Sequence, residues 1–180
     1  MPTSLPPVRR IVTGIDANGR SYIAEDGVSP AMFTMATRAD FRSNNIWRTV
    51  ASPAPVGASD SVLEHRGLLP PSSGTLLRVI DIPPEDKDPE VRRRAAEAVF
   101  SAIYGDVKHD AASSRHPGMH VTDTIDYAIV LQGELVAIMD DGETVMRAGD
   151  ILIQRGTNHA WANRSGAIAR IAFILVDGRR

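Results

Sequence analysis

The sequence predicts an all-β protein, a sandwich or small barrel that carries one main helix. Three observations lead there. From Met119 onward, short apolar runs alternate with turn residues at close, regular intervals. Only one segment, 88–104, combines helical spacing with a complete start signal. The first half holds short β-prone runs separated by Pro, Ser and Gly, with no second helical period.

In chain order, Ile11–Val12–Thr13 and Ser21–Tyr22–Ile23 read as strands joined through Asp16–Ala17–Asn18–Gly19, where Asn–Gly supplies positive-φ turn residues. Residues 30–50 hold a further strand pair that includes Ile46–Trp47–Arg48–Thr49–Val50. Residues 51–74 are rich in Pro, Ser and Gly and read as loop. Residues 75–82 form a strand stopped by Pro83–Pro84. The helix begins with Asp88 as N-cap and Pro89 at the first helical position, where a missing N–H costs nothing. Val91, Ala95, Ala96, Val99, Phe100 and Ile103 fall on one face. Glu90–Arg94 and Arg93–Glu97 are i,i+4 pairs on the wet side, and Gly105 is expected to end the helix in a left-handed cap. Arg92–Arg93–Arg94 reads as a solvated helix face rather than a phosphate site. Strands follow at 125–131, 135–139, 143–146, 151–154, 159–163 and 167–176, with turns at Asp140–Asp141–Gly142 and Arg147–Ala148–Gly149–Asp150.

Composition narrows the function. A chain of 180 residues is one domain's worth, and it can bury roughly 70% of its unfolded surface. It has no cysteine, which excludes disulfides, thiolate metal ligands, iron–sulfur clusters and cysteine nucleophiles. A formal charge of −2 and 5% aromatics argue against a nucleic-acid partner. No apolar run is long enough for a membrane span, and residues 1–10 hold three prolines and no apolar signal core. The expectation is a cytoplasmic protein. Asn163–Arg164–Ser165 matches a glycosylation sequon in form only, since no secretory signal accompanies it. There is no G-x-S-x-G elbow and no Walker or Rossmann glycine pattern.

Alternation along strands gathers the candidate chemistry. His120, Thr122 and Asp126 share one parity, and His159, Trp161 and Asn163 share a face on their own strand. Two imidazoles and a carboxylate converging inside a barrel make a mononuclear metal site with open positions for water, oxygen or substrate. Mixed nitrogen and oxygen donors suit one divalent ion: Fe, Mn, Zn, Ni or Co. Two other readings of Asp126 stand beside this one, a buried structural acid and a metal-free general base. Trp161 reads as pocket wall or core filler, and Asn163 as a strand tie or a pocket residue. Tyr127 has the opposite parity and should face away. His116 is a candidate further ligand or proton shuttle, although Pro117–Gly118 breaks the extended path. His65 and His109 lie in polar surroundings and are expected to be exposed. Trp47, Arg48 and Arg170 are candidates to enter the barrel mouth.

The run His120-x-Thr122-x3-Asp126-x6-Gly133 resembles the first cupin motif. Gly149-x4-Gln154-x-Gly156-x2-His159-x3-Asn163 is similar to the second. The likeness covers about residues 115–176. Thr122 stands where the family's second histidine is usual, Asp126 where glutamate is usual, and Gln154 where proline is usual. The resemblance implies a cupin double-stranded β-helix, a jelly-roll-like barrel with an N-terminal strand extension and one main helix. The expected division is residues 1–85 as an extension contributing strands, loops and a dimer contact, 86–105 as the helix, and 106–180 as the barrel core. It also implies a homodimer, and a metal held by His120, Asp126 and His159, with Asp126 and His116 as catalytic candidates and Thr122, Trp161 and Asn163 in the pocket. Two functions follow. One is a metal-dependent enzyme of oxygenase, decarboxylase or lyase type acting on a small carbonyl or carboxylate compound. The other is a non-catalytic small-molecule binding or sensing module without metal.

Overall fold

In the computed structural model, residues 4–113 and 115–180 are described. The strands are β1 (Arg9–Ile15), β2 (Ser21–Val28), β3 (Ala31–Met35), β4 (Arg38–Thr49), β5 (Thr75–Ile82), β6 (Lys108–Asp110), β7 (Met119–Val121), β8 (Thr124–Gln132), β9 (Glu134–Met139), β10 (Glu143–Arg147), β11 (Ile151–Arg155), β12 (His159–Ala162) and β13 (Ala169–Asp177), with one helix, α1 (Pro89–Ile103). A six-stranded sheet runs β11-β8-β13-β5-β4-β3, and a five-stranded sheet runs β10-β9-β12-β7-β6. All pairings are antiparallel. The strands β3, β4 and β5 of the first half thus complete one barrel layer, whereas β1 and β2 form a ribbon of their own. The two layers make the expected jelly-roll barrel.

The core lies between the layers. Leu76, Ala128, Val130, Leu135, Ile171 and Leu175 are almost wholly buried there. In β9 both faces are covered, so Val136 and Ile138 join Met119, Ala160 and Ala162 in a second cluster. Gly133 joins β8 to β9 at φ 77°, and an added Cβ would meet the backbone of Ala169 at 3.0 Å. Glycine is needed there for both conformation and space.

α1 starts as its sequence demands, with the Asp88 carboxylate accepting from the Glu90 N–H at 2.8 Å. Its end differs. Gly105 is not left-handed; the backbone turns at Tyr104, whose N–H donates to the Phe100 carbonyl. Tyr104 is buried, so core packing rather than glycine freedom sets the exit. Three elements escape the sequence reading: a 3₁₀ turn at Val62–Glu64 inside the loop of residues 51–74, and the three-residue strands β6 and β7 as separate pieces. No helix among the described residues is long and apolar enough to cross a membrane.

Candidate functional site

Strand parity puts the polar side chains inside the barrel. β8 turns Thr124, Asp126, Ala128 and Val130 inward and Tyr127 outward. Register brings the histidines together. His120 on β7 lies opposite His159 on β12, and on its other side opposite His109 on β6. The His120 and His159 rings are 4.3 Å apart between centroids. Each Nδ1 meets the carbonyl two residues back, Gly118 for His120 and Thr157 for His159, at 2.9 Å. Nδ1 therefore carries the proton and Nε2 the lone pair. Burial and the neighbouring His159 push His120 down to about 3, and burial lowers His159 as well. Both rings are neutral.

Asp126 stands in the other layer, opposite Gln154 and Leu175. Its Oδ1 is buried without a partner, and burial pushes the carboxyl up to about 6. Among the described residues no three His, Asp or Glu side chains converge closely enough to hold an ion. The structure brings His120 and His159 together and leaves Asp126 outside any such group. As arranged, these residues supply two nitrogen donors and do not fit a three-ligand centre.

Thr122 is committed to its neighbours. Its hydroxyl oxygen accepts from Thr124 Oγ1 at 2.8 Å and from Gln154 Nε2 at 3.1 Å. Gln154, at the usual proline position, also accepts from the Thr157 N–H and so braces the turn before His159. Asn163 is a tie. Its amide donates to the Ile82 and Ala167 carbonyls, and its oxygen accepts from Ser165. Of Thr122, Trp161 and Asn163, Trp161 alone lines the cavity beside α1, meeting His159 and Phe173 edge to face.

That cavity, of about 790 Å³, lies between α1 and the barrel. Its walls are mainly apolar, with Phe41, Ile80, Val99, Phe100, Trp161 and Phe173 contributing. His120 and His116 open on it, and so does Glu85, which the sequence reading missed. Glu85 Oε1 lies 2.6 Å from His116 Nε2, both side chains being largely buried. The Gly118 N–H donates to His116 Nδ1 at 3.0 Å, so Nε2 is the nitrogen that holds the proton facing Glu85. A Cβ at Gly118 would come within 3.1 Å of that Nδ1. Glu85 is itself fixed by its own N–H, which donates to the Asn163 carbonyl at 2.8 Å. The local sequence Pro83–Pro84–Glu85 gave no sign of this pairing, which spans 31 residues.

Two expectations about histidines are corrected. His65 is buried at 7% exposure, with its Nε2 3.2 Å from the Gly67 carbonyl. His109 is half-buried and stacks on Phe100 at 3.9 Å, because β6 is drawn into the five-stranded sheet. Trp47, Arg48 and Arg170 do not line the cavity. Arg48 pairs with Glu64, Arg170 clamps Asp81, and Trp47 lies beneath Arg10.

Two antiparallel layers that enclose inward imidazoles beside a small-molecule-sized cavity define a barrel of the ligand-pocket class. Residues 107–176 match the family described as Cupin domain. Phomopsin biosynthesis cluster protein C' of Diaporthe leptostromiformis is 27% identical over 94% of this chain and 78% of its own length. A cupin-domain-containing oxidoreductase of Neurospora crassa is 27% identical over 96% and 78%. Among solved structures, a Cupin 2 conserved barrel domain protein of Salinispora arenicola covers 80% of this chain and 82% of its own, at 11% identity and a TM-score of 0.43.

Proposed function

We propose that this chain is an enzyme acting on a small organic carbonyl compound in the cavity between α1 and the barrel, with Glu85 and His116 as its proton-transfer pair. The observation that carries this is the 2.6 Å contact between the two, on the wall of a mainly apolar cavity. Glu85 Oε1 accepts from His116, and Oε2 has no hydrogen bond among the described residues. A carboxylate held in this way can take a proton from substrate at Oε2 while the His116 N–H orients it through a hydrogen bond to Oε1. The neutral His120 ring adds an Nε2 acceptor in the same cavity. The relative from Neurospora, named as an oxidoreductase, supports an enzyme in general terms. Oxidation would require an electron acceptor in addition to this proton transfer.

The histidine pair supports a second reading, in which a divalent ion (Fe, Mn, Zn, Ni or Co) joins the site. Both Nδ1 atoms are backed by carbonyls, the arrangement that orients metal-ligating imidazoles. Such an ion would act as a Lewis acid toward a substrate oxygen. Metal analysis of protein purified without chelators separates the readings: stoichiometric metal, lost in both His120→Ala and His159→Ala, establishes the second.

The test of the principal reading needs no knowledge of the full reaction. Phenylacetaldehyde and phenylpyruvate are incubated with the protein in D₂O, and exchange of the proton next to the carbonyl is followed by NMR. We expect exchange above the buffer rate, falling about 100-fold or more in Glu85→Gln. Quenching of Trp161 fluorescence by these compounds without any exchange would reduce the protein to a binding module.

A further inference from the structure

We infer that Arg38 anchors a carboxylate on the substrate of this cavity. The inference rests on the cavity being the substrate site. Three arginines line it, and two are already engaged. Arg94 pairs with Glu90, and Arg92 donates to the Asp86 and Lys87 carbonyls. Arg38 has no ion-pair or hydrogen-bond partner among the described residues. Its guanidinium lies 5.5 Å from the centre of the Phe41 ring. Phe41 is buried, so it serves as a fixed platform for one face of the cation. A guanidinium stacked in this way keeps its N–H donors at the edge, where a planar carboxylate accepts two of them in parallel.

The acids around the cavity form no ion pair with Arg38. Asp40, Glu85 and Asp86 all contribute to its lining, and none comes within ion-pair distance of Arg38. Glu85 is already committed to His116. The rest of the wall near Arg38 is apolar, with Met35, Phe41, Ile80 and Ile82. A cation drawn out of water beside apolar side chains is costly unless an anion arrives. Burial accordingly lowers the Arg38 pKa, opposed by the charge of Glu85. The substrate class is then a small organic acid with an apolar body, its carboxylate held at Arg38 and its reacting carbon exposed to the Glu85–His116 pair.

The test titrates the full chain with 3-phenylpropionate and with its neutral isostere, 3-phenylpropionamide, reading Trp161 fluorescence. Trp161→Phe serves to subtract the signal of Trp47. Wild type should bind the carboxylate about 10-fold tighter or more, the effect of one charge-assisted pair. In Arg38→Met the carboxylate should weaken to the level of the amide, while amide binding and the thermal midpoint stay unchanged. Arg38→Lys should recover only part of the preference, because an ammonium keeps the charge but offers no fork of parallel N–H donors. Equal binding of acid and amide by wild type overturns the anchor, as does a preference that survives in Arg38→Met. In either case quenching by the amide still upholds the cavity as the binding site. Quenching by neither compound overturns both the anchor and the site.

Discussion

A single buried histidine shows how one side chain couples this fold to pH. His65 lies in the long loop between β4 and β5, 7% exposed. Burial, with the charge of Arg78 beside it, pushes its pKa down to about 4. The unfolded chain therefore binds a proton near pH 6.5 that the folded chain refuses until about pH 4. Stability from this residue is complete above 6.5 and is lost as pH falls toward 4, amounting to on the order of 1–3 kcal/mol. Asp126 works in the opposite direction. Its raised pKa gives stability that is fully present below the unfolded value and is lost as pH rises through about 6. Comparing wild type with His65→Gln isolates the histidine. Urea midpoints measured between pH 4.5 and 7.5 should fall less steeply toward acid in His65→Gln than in wild type, and parallel curves would contradict the assignment.

At the scale of elements, α1 both walls the cavity and depends on a local signal. Only Val99 of its residues is fully buried, because much of its apolar face looks onto the cavity rather than into packed core. Little packing therefore offsets the loss of its cap. Asp88→Ala should cost about 1 kcal/mol, read as a lower urea midpoint with an unchanged slope; an unaffected midpoint would mean that the cap contributes nothing. This helix was legible in the sequence because capping and 3.6-residue spacing are local properties. The inward parity of Asp126, His159 and Trp161 was legible for the same reason, since alternation holds within a strand. The Glu85–His116 pair and Arg38 were not. The cavity draws on residues 35–41, 80–86, 91–104 and 116–120 together with Trp161 and Phe173, and no periodicity carries across the loops between them. Asp126 and His120 share a parity, yet β8 and β7 belong to different layers, so equal parity did not bring their side chains to a common point.

Across the whole molecule, the first half is secured to the barrel by charge as well as by strand pairing. Asp81 is fully buried, accepts from Arg170 and forms an ion pair with Arg42, and the two arginines join β4 and β13 across β5. The same two guanidiniums hold the Leu5 and Pro6 carbonyls, so the segment before β1 is tied to the barrel. The β1–β2 ribbon is different. It forms a separate sheet, and a two-stranded ribbon is marginal on its own. Its inner side is fixed by Arg10, buried against Glu25, Asp60 and the Ile46 carbonyl. Its outer side carries Ile11, Ile15, Ile23 and Val28, all more than half exposed, and by register all on one face. The Arg9–Asp26 pair lies on that face too, so it bears both charges and can meet its own copy. An apolar face of this kind on a ribbon that needs support is where the homodimer contact expected from the cupin resemblance would form. Sedimentation velocity at micromolar concentration should give a dimer for wild type. Ile15→Asp and Ile23→Asp together should shift it to monomer without lowering the thermal midpoint of the barrel. A wild-type monomer, or a dimer indifferent to both substitutions, would remove the ribbon from the interface.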